Sequence, residues 1–399
     1  MSAETFGEAL RRLRGDMSIR DVASRAAVGK SYISDLEKGR RTPSLTVATA
    51  LDRALGAAGE LVAMISAPPV IDGHGVETAQ EITDILGRIH RRNRSVDPEI
   101  LRQLRGNLND IVLGYEKMDQ ARLISSLLRQ RTWIDELLSE CSHPREHRQL
   151  FRLACATSGI LGYIAVGRGK FSLARAYCAE AFQLGDFAQD ADLQAWARGL
   201  QSFCEYYAHD YREALRLAED GLSYARCGPQ SVRLAINGKA RALGKLGDVD
   251  GVHRSVDEAY ELASHNDPPE GLPSSISMEC YGATQIASNA ATAYVSLGMP
   301  DKVQQYVDMA LPYISKSGSS WSRSLVTIDY AVSLISSKEA DLDYVGGLVA
   351  DALDISSGRP VVSIQQRALE FVGEAVRRWG EVGTIREIHH TVTRWGCHR

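Results

Sequence analysis

The sequence predicts an all-α chain in which a small helical domain precedes a solenoid of helical hairpins. Apolar residues recur at helical spacing, and no stretch alternates between apolar and polar residues as a strand would. Aromatic residues make up only 7% of the chain, and alanine and arginine are frequent, which favours helices. Residues 67–75, APPVIDGHG, contain prolines and glycines that cannot lie inside a helix. This linker separates a head, residues 1–66, from a body, residues 76–399.

Capping and stop signals predict five helices in the head. Phe6, Leu10 and Leu13 share one face of a first helix from about Thr5 to Arg14. Ser18 is the N-cap of the second helix. The third helix begins after Gly29 and ends at Gly39, a left-handed C-cap. Pro43 and Ser44 open the fourth helix, Gly56 and Gly59 mark its end, and a short fifth helix reaches Ile65.

Residues 17–41, MSIRDVASRAAVGKSYISDLEKGRR, have the spacing of a helix-turn-helix. Its apolar residues hold the two helices together: Ile19, Val22, Ala23, Val28, Ile33 and Leu36. Its second helix leaves four polar side chains free to read base edges in a DNA major groove: Lys30, Ser31, Ser34 and Asp35. The head carries ten Lys and Arg against eight Asp and Glu, so its net charge is +2, and the rest of the chain carries −6. This asymmetry is compatible with DNA binding confined to the head.

The body contains a repeated pattern in which a tight turn precedes a bulky residue or proline and then a helix. The turns fall near 169, 209, 247 and 298, about 40, 38 and 51 residues apart. The residues that follow them are Phe171, Tyr211, Val249 and Pro300. A period of this size is typical of an α-solenoid, in which stacked hairpins bury each other's apolar faces. The longest interval contains NDPPEGLPSS, a predicted loop inserted between hairpins.

Several other functions are disfavoured by the sequence. The seven cysteines include no C-x-x-C pair, which argues against a zinc ribbon or a disulfide framework. No apolar run approaches the roughly 18 residues of a membrane span, and no signal-peptide segment is seen, so a cytoplasmic protein is expected. The H-x-x-E-H pattern at 143–147 resembles a zinc-peptidase motif, but Pro144 indicates that a helix only begins there, and no further metal ligand is found. Residues 167–170 lack the leading glycine and the trailing Ser or Thr of a phosphate-binding loop. No enzyme activity, metal or cofactor is predicted.

The head resembles the Xre family of phage-repressor-like helix-turn-helix domains over about residues 5–58. This resemblance implies that Lys30 and Ser31 meet base edges, that Asp35 reads bases one turn later, and that Arg40 and Arg41 approach phosphate.

The same resemblance implies a pair between Arg12 and Glu37 that bridges the first and third helices, although an ordinary surface ion pair is the alternative. Ile19 stands where the family often has Gln, so a side-chain phosphate contact is not expected there. Ala27 and Gly29 also depart from the family's turn, and Gly29 caps without a side-chain acceptor.

The body resembles tetratricopeptide repeats, most clearly in ASNAATAYVSLG at 287–298. The concave face of such an array binds peptides or other extended ligands. Aligning the turns puts five candidate ligand-binding residues at or beside inward positions: Tyr163, Asn237, Arg241, Asn289 and Thr292. Each could instead cap a helix or be solvated. Trp196, Tyr206 and Tyr207 are candidates for the same surface, with a core position as the alternative.

Head and body together are similar in layout to long repressor-plus-repeat regulators of actinobacteria and to peptide-sensing regulators of Gram-positive bacteria. The combined prediction is a sequence-specific transcriptional regulator that binds a double-stranded DNA operator. A homodimer joined through the body is expected, because tight binding usually needs two half-sites. The body would sense a peptide or small molecule. The alternative is an interaction scaffold whose body recruits a protein partner to DNA.

Overall fold

The computed structural model describes residues 4–66, 81–89, 96–141, 143–269, 271–358 and 361–396. All regular secondary structure in these ranges is helical, which confirms the predicted all-α class. The chain divides into two compact units, Met1–Gln103 and Leu104–Arg399, called here the N-terminal and C-terminal units. The predicted linker at 67–75 and a basic run at 90–94 lie outside the described residues.

The five helices predicted for the head are present, with boundaries set by local capping. Thr5 forms a capping box with Glu8, and the Ser18 and Ser44 hydroxyls each accept a backbone N–H three residues on, at 3.2 Å. The apolar residues of the helix-turn-helix all join one core around Leu10. The helices are α1 (Phe6–Arg14), α2 (Ile19–Ala26), α3 (Lys30–Glu37), α4 (Leu45–Leu55), α5 (Glu60–Ser66) and α6 (residues 81–89), and α7 (Pro98–Gly114) contains the division between the units.

The C-terminal unit consists of helical hairpins stacked in two layers. The inner helices pack against one another in chain order, and each packs against the outer helix that follows it. The inner layer comprises α9 (Pro144–Gly167), α11 (Ala191–Tyr207), α13 (Pro229–Arg233) with a π-helix (Leu234–Ala240) and α14 (Arg241–Leu246), α16 (Ala283–Ser296), α18 (Ser320–Ile335) and α20 (Val362–Trp379). The outer layer comprises α8 (Gln120–Glu140), α10 (Phe171–Phe187), α12 (Tyr211–Ala225), α15 (Val249–Ser264), α17 (Pro300–Ser317), α19 (Leu342–Ser356) and α21 (Gly383–Gly396).

The four predicted repeat turns are confirmed. Each contains a residue with left-handed backbone, with φ of +67° at Gly169, +66° at His209, +79° at Gly247 and +64° at Gly298. A β-carbon is strained in this region, which explains glycine at three of the four turns. The bulky residue or proline that follows each turn is the first residue of an outer helix, as the pattern predicted.

One sequence-based exclusion needs correction. Helix α9 contains an 18-residue window with a mean hydropathy of 1.5, so it is long and apolar enough to span a membrane. In the structure 78% of that window is buried, because α8, α10 and α11 pack around it. The apolar character of α9 is therefore that of a core helix. Thr157, Ser158 and two glycines interrupt its apolar residues, so α9 does not contain one unbroken apolar run in the sequence.

The inner layer curves until its last helix meets its first. Helix α20 packs against α9, and the Gln366 amide donates to the Tyr207 carbonyl oxygen at 2.9 Å. The rings of Tyr115, near the end of α7, and Trp321, at the start of α18, lie 5.0 Å apart edge to face. The inner helices consequently surround a central space, which we call the axial cavity.

The predicted loop between hairpins corresponds to residues 265–269 and 271–282, here called the insert loop, between α15 and α16. The loop turns inward. Three side chains of the inner helices donate to its carbonyl oxygens: Gln230 to Met278 at 2.6 Å, Arg233 to Ser277 at 3.2 Å and Gln285 to Pro273 at 3.2 Å. Because Ile276 and Tyr281 are almost fully buried, the loop forms part of the unit's interior.

Candidate functional sites

The exposed face of α3 is the candidate DNA-reading surface. Lys30 and Ser31 are exposed at the first turn of the helix, whereas Ser34 and Asp35 are half-buried one turn later. The opposite face of α3 buries Ile33 in the core of the unit. The helix-turn-helix residues chosen from the sequence therefore lie on one accessible face, on which Lys30 is exposed and Asp35 is half-buried.

The end of α3 fixes where the two following arginines lie. Gly39 has φ of +67° and donates to the Leu36 carbonyl oxygen at 3.0 Å, and the N–H of Arg40 donates to the Asp35 carbonyl oxygen at 2.8 Å. These two bonds form a Schellman motif, which confirms the predicted C-cap. Arg40 and Arg41 are exposed directly beyond the helix end.

Two of the predicted DNA-binding residues contact each other. The Nε atom of Arg41 lies 3.7 Å from the Asp35 carboxylate, and its guanidinium lies 5.2 Å from the Tyr32 ring centroid. The Asp35 carboxylate thus lies next to the Arg41 guanidinium. If Arg41 binds a phosphate, its contact with Asp35 would be weakened. Ile19 packs against the core, which fits the absence of a polar contact there.

The predicted Arg12–Glu37 pair is wrong. Glu37 is bound by Arg14, whose Nε atom lies 2.6 Å from the carboxylate, and Arg11 donates to the Glu37 carbonyl oxygen at 3.0 Å. Arg12 instead pairs with Glu4 at 2.8 Å. Positions three apart share a helix face, so residues 11 and 14 both point toward α3, whereas residue 12 is rotated away.

All five predicted ligand-binding residues line the axial cavity, together with residues from every inner helix between α9 and α20. Asn237, in the middle of the π-helix, donates its amide to the Asn289 amide oxygen at 3.1 Å. Arg241, one turn later, donates to the Tyr207 hydroxyl at 2.8 Å. The Tyr163 ring stacks on the Phe203 ring at 5.0 Å. The role of these residues in binding a ligand stays a prediction.

A charged cluster forms the other wall of the axial cavity. Asp329 and Arg367 make a buried ion pair, and the Thr292 hydroxyl donates to the same carboxylate at 2.8 Å. Arg367 also donates to the Thr292 hydroxyl oxygen at 3.0 Å. Burial raises the pKa of Asp329, while Arg367 and Thr292 act in the opposite direction. Sequence reasoning found Thr292 in this cluster and missed both charged residues, which lie on hairpins that its repeat pattern did not reach.

The three aromatic candidates occupy different positions. Tyr207 lines the axial cavity, and the Tyr206 ring lies beneath the Arg241 guanidinium at 4.1 Å. Trp196 is fully buried and packs on α9, where a β-carbon at Gly159 would lie only 2.2 Å from its ring. Trp196 is therefore a core residue, and Gly159 leaves the room that its ring needs where α9 packs against α11.

The patterns that resembled catalytic or metal sites have local structural roles. His147 bonds through Nε2 to the Cys141 carbonyl oxygen, and the Cys141 thiol lies 3.2 Å from the Glu146 carboxylate, so these residues tie together the α8–α9 connection. In the described ranges no group of three or more His, Cys, Asp or Glu is arranged to hold a metal ion. Burial raises the pKa of the Cys204 thiol to about 12, as suits an inert core cysteine.

Comparison with known proteins identifies the N-terminal domain. A family model described as a helix-turn-helix domain matches residues 5–64. A comparison with curated protein sequences finds no match. Among solved structures, the chain is similar to a signal transduction ATPase with numerous domains (STAND) protein with a tetratricopeptide repeat sensor from Pyrococcus horikoshii, with 12% identity and a TM-score of 0.44. That alignment covers 98% of this chain and 55% of the other. The family match identifies residues 5–64 as a helix-turn-helix domain, and the stacked hairpins of the C-terminal unit form a helical repeat region.

Proposed function

We propose that this protein is a cytoplasmic, sequence-specific transcriptional regulator in which α3 of the helix-turn-helix domain enters the major groove of an operator. The observation that carries this proposal is the exposed polar face of α3 within a domain whose matched family is helix-turn-helix. Lys30 and Ser31 are the first candidates for base contacts, since a lysine there favours guanine O6 and N7. Arg40 and Arg41 are proposed to approach phosphate beyond the helix end.

The experiment is to select binding sites from genomic fragments and then measure operator affinity by mobility shift. Lys30→Ala and Asp35→Ala are expected to weaken binding by about 10- to 100-fold, the range for loss of one base contact. Arg53→Ala, exposed on α4 outside residues 17–41, is the matched control and is expected to bind like the parent. Parent-like binding by both α3 variants would show that α3 does not read the operator.

The C-terminal unit is proposed to form a homodimer and to sense a ligand in the axial cavity, either a peptide or a small molecule. Support comes from the convergence of Tyr163, Asn237, Arg241, Asn289 and Thr292 on one cavity lined by amide, hydroxyl and guanidinium groups. A ligand regulates only if it favours one arrangement of the two DNA-binding domains. Sedimentation of the full chain tests the dimer, and operator affinity with and without a low-molecular-weight cell fraction tests sensing.

The scaffold alternative predicts a different outcome for the same protein. A stable protein partner in pull-downs, with operator affinity unaffected by the low-molecular-weight fraction, would favour recruitment over sensing. The axial cavity favours sensing, because its polar groups face inward and are not presented on an outer surface where a folded partner could bind.

A further inference from the structure

The axial cavity carries more positive charge than its own carboxylates neutralise. The charged residues of its lining are Arg233, Arg241, Arg367 and Asp329. Arg367 forms the ion pair with Asp329, whereas neither Arg233 nor Arg241 pairs with a carboxylate in the described part of the chain. The lining therefore has a net charge of +2. Buried charges in proteins are usually paired, because they lose their hydration on burial.

Arg241 is the more informative of the two unpaired arginines. Its side chain is buried, yet its hydrogen-bond partners are neutral: the Tyr207 hydroxyl at 2.8 Å and the Asn237 amide oxygen at 3.4 Å. Its Nε–H group is buried and has no hydrogen-bond partner among the residues that the structure describes. Stacking on the Tyr206 ring at 4.1 Å orients the planar guanidinium without supplying a negative charge. The planar Arg241 guanidinium is thus held in one orientation, and its N–H groups suit the geometry of a carboxylate or phosphate.

Arg233 supplies a second unpaired charge on the same cavity. It is buried, its Nη1 atom donates to the Ser277 carbonyl oxygen at 3.2 Å, and its guanidinium lies 5.6 Å from the Tyr281 ring centroid. Both partners belong to the insert loop and are uncharged. The nearest carboxylate in the cavity, Asp329, is already compensated by Arg367 and Thr292, so it does not cancel either free arginine.

The insert loop also limits the shape of a ligand. Leu272, Pro273 and Ser275 contribute to the cavity wall, and the loop's carbonyls occupy Gln285 and Arg233, side chains that could otherwise bind an extended backbone. The free volume inside the cavity is about 90 Å³, well below the roughly 300–1,000 Å³ of typical small-molecule sites, so the cavity accommodates only a small ligand or one group of a larger one. A compact ligand fits this space, whereas a long extended peptide would have to displace the loop.

We propose that the axial cavity binds a compact oxyanion, either a carboxylate or a phosphate group, with Arg241 as its principal charge partner and Arg233 as the second. Asn237 accepts a hydrogen bond from Arg241 and donates one to Asn289, which in turn donates to the Gln285 carbonyl oxygen, so this chain of amides lines the cavity next to the proposed oxyanion position. This inference rests on the proposed sensing role of the axial cavity, whose ligand class it defines.

The test measures the unfolding temperature and binding heat of the full chain with named probes at constant ionic strength set by sodium chloride. The anionic probes are sodium phosphate, sodium citrate and acetyl-triglycine; the matched neutral probes are glycerol and acetyl-triglycine amide, in which the terminal carboxylate is blocked. At least one anion is expected to raise the unfolding temperature saturably, and the neutral probes are not. No saturable response to any of the three anions beyond that of sodium chloride would overturn the proposal.

Arg241→Gln is expected to weaken binding of the responding anion at least about tenfold, the effect of losing a charge-assisted hydrogen bond. Arg212→Gln, exposed on α12, is the control for a loss of charge and is expected to bind like the parent. Arg241→Lys keeps the charge and is expected to retain part of the response. Unchanged affinity in Arg241→Gln would overturn the assignment. If that variant does not fold, the ¹⁵N signal of the Arg241 Nε–H in the parent must shift on titration with the anion.

These outcomes are separable from those of the proposed function. Anion binding that leaves operator affinity unchanged would contradict sensing and support the oxyanion site. Regulation of operator binding by a neutral or cationic ligand in the same cavity would support sensing and contradict the oxyanion site.

Discussion

Removal of the Asp329 carboxylate is expected to destabilise the C-terminal unit by about 3–5 kcal/mol, the usual cost of breaking one side of a buried ion pair. The Asp329 and Arg367 side chains are only 1% and 7% exposed, so the arginine left behind cannot recover its hydration. Thr292 would lose an acceptor at 2.8 Å as well. The free energy of unfolding is obtained from urea titration followed by circular dichroism, with Asp329→Ala compared with the parent.

A double-mutant cycle tests whether the pair is the cause. Arg367→Met and Asp329→Leu are expected to cost much less together than the sum of their separate effects, with a coupling of about 2–3 kcal/mol. Glu374→Ala, which breaks the exposed Arg377–Glu374 pair, is the control and is expected to cost under about 1 kcal/mol. Additive losses at Asp329 and Arg367 would refute the reasoning.

The same variants give a dependence on pH. Burial raises the pKa of Asp329 above its ordinary value of 3.8 even with Arg367 in place, and Arg367→Met removes a group that opposes this rise. An acid whose folded pKa is raised favours folding below its unfolded pKa, and this contribution is lost as the pH rises through the folded value. The stability deficit of Arg367→Met is therefore expected to be smaller near pH 4 than at pH 7. A deficit independent of pH would contradict the inference that the buried Asp329 carboxyl group takes up a proton more readily once Arg367 is removed.

Three further predictions concern the helix-turn-helix domain. Arg14→Ala is expected to lower the free energy of unfolding by about 2–3 kcal/mol, because it leaves the buried Glu37 carboxylate without its main partner. Arg12→Ala, the control, should lower it by under about 1 kcal/mol, and equal losses would argue for the Arg12–Glu37 pair. Gly7→Ala is expected to cost about 1–3 kcal/mol, since the new β-carbon would lie 2.5 Å from the Leu36 carbonyl oxygen, and thermal unfolding of the domain measures it. Operator affinity should fall with salt by a logarithmic slope of about −0.9 per phosphate contacted, and Lys30→Ala should leave that slope unchanged if Lys30 reads a base.

The head was predictable almost to the residue because its boundaries depend on local chemistry. Thr5, Ser18 and Ser44 cap the helices that directly follow them, and Gly39 provides the left-handed backbone that ends α3. The Arg12 pairing failed for a reason that is equally physical. A shift of two positions along α1 changes the direction of a side chain by more than half a turn, and sequence alignment to a family does not resolve that difference.

The repeats were predictable where a tight turn is followed by a bulky residue or proline, and glycine forms three of those four turns. The connection between α18 and α19, residues 336–341, contains no glycine, so the hairpin that carries Asp329 escaped the pattern. The turn after α20 has Gly380 in left-handed backbone, but α21 begins with Gly383 and not with a bulky residue or proline, so the hairpin that carries Arg367 escaped it as well. The inward path of the insert loop could not be predicted from the sequence either, because the hydrogen bond from Gln230 to the Met278 carbonyl oxygen joins residues 48 positions apart. Five cavity residues could be identified from register alone, whereas the cavity's charge balance depends on contacts that only the curved array creates.

The return of α20 onto α9 changes how this array is expected to fold. An open repeat array has two free ends, so it can fray from either end and its stability is close to a sum over neighbouring repeats. Here α20 also packs against α9, and it is bonded to two further inner helices, through Glu370 with Lys245 of α14 at 2.6 Å and through Gln366 with Tyr207 of α11. Loss of the last hairpins would therefore uncover both ends at once. The C-terminal unit should unfold in a single cooperative transition and fold slowly, because its closing contacts join distant parts of the chain.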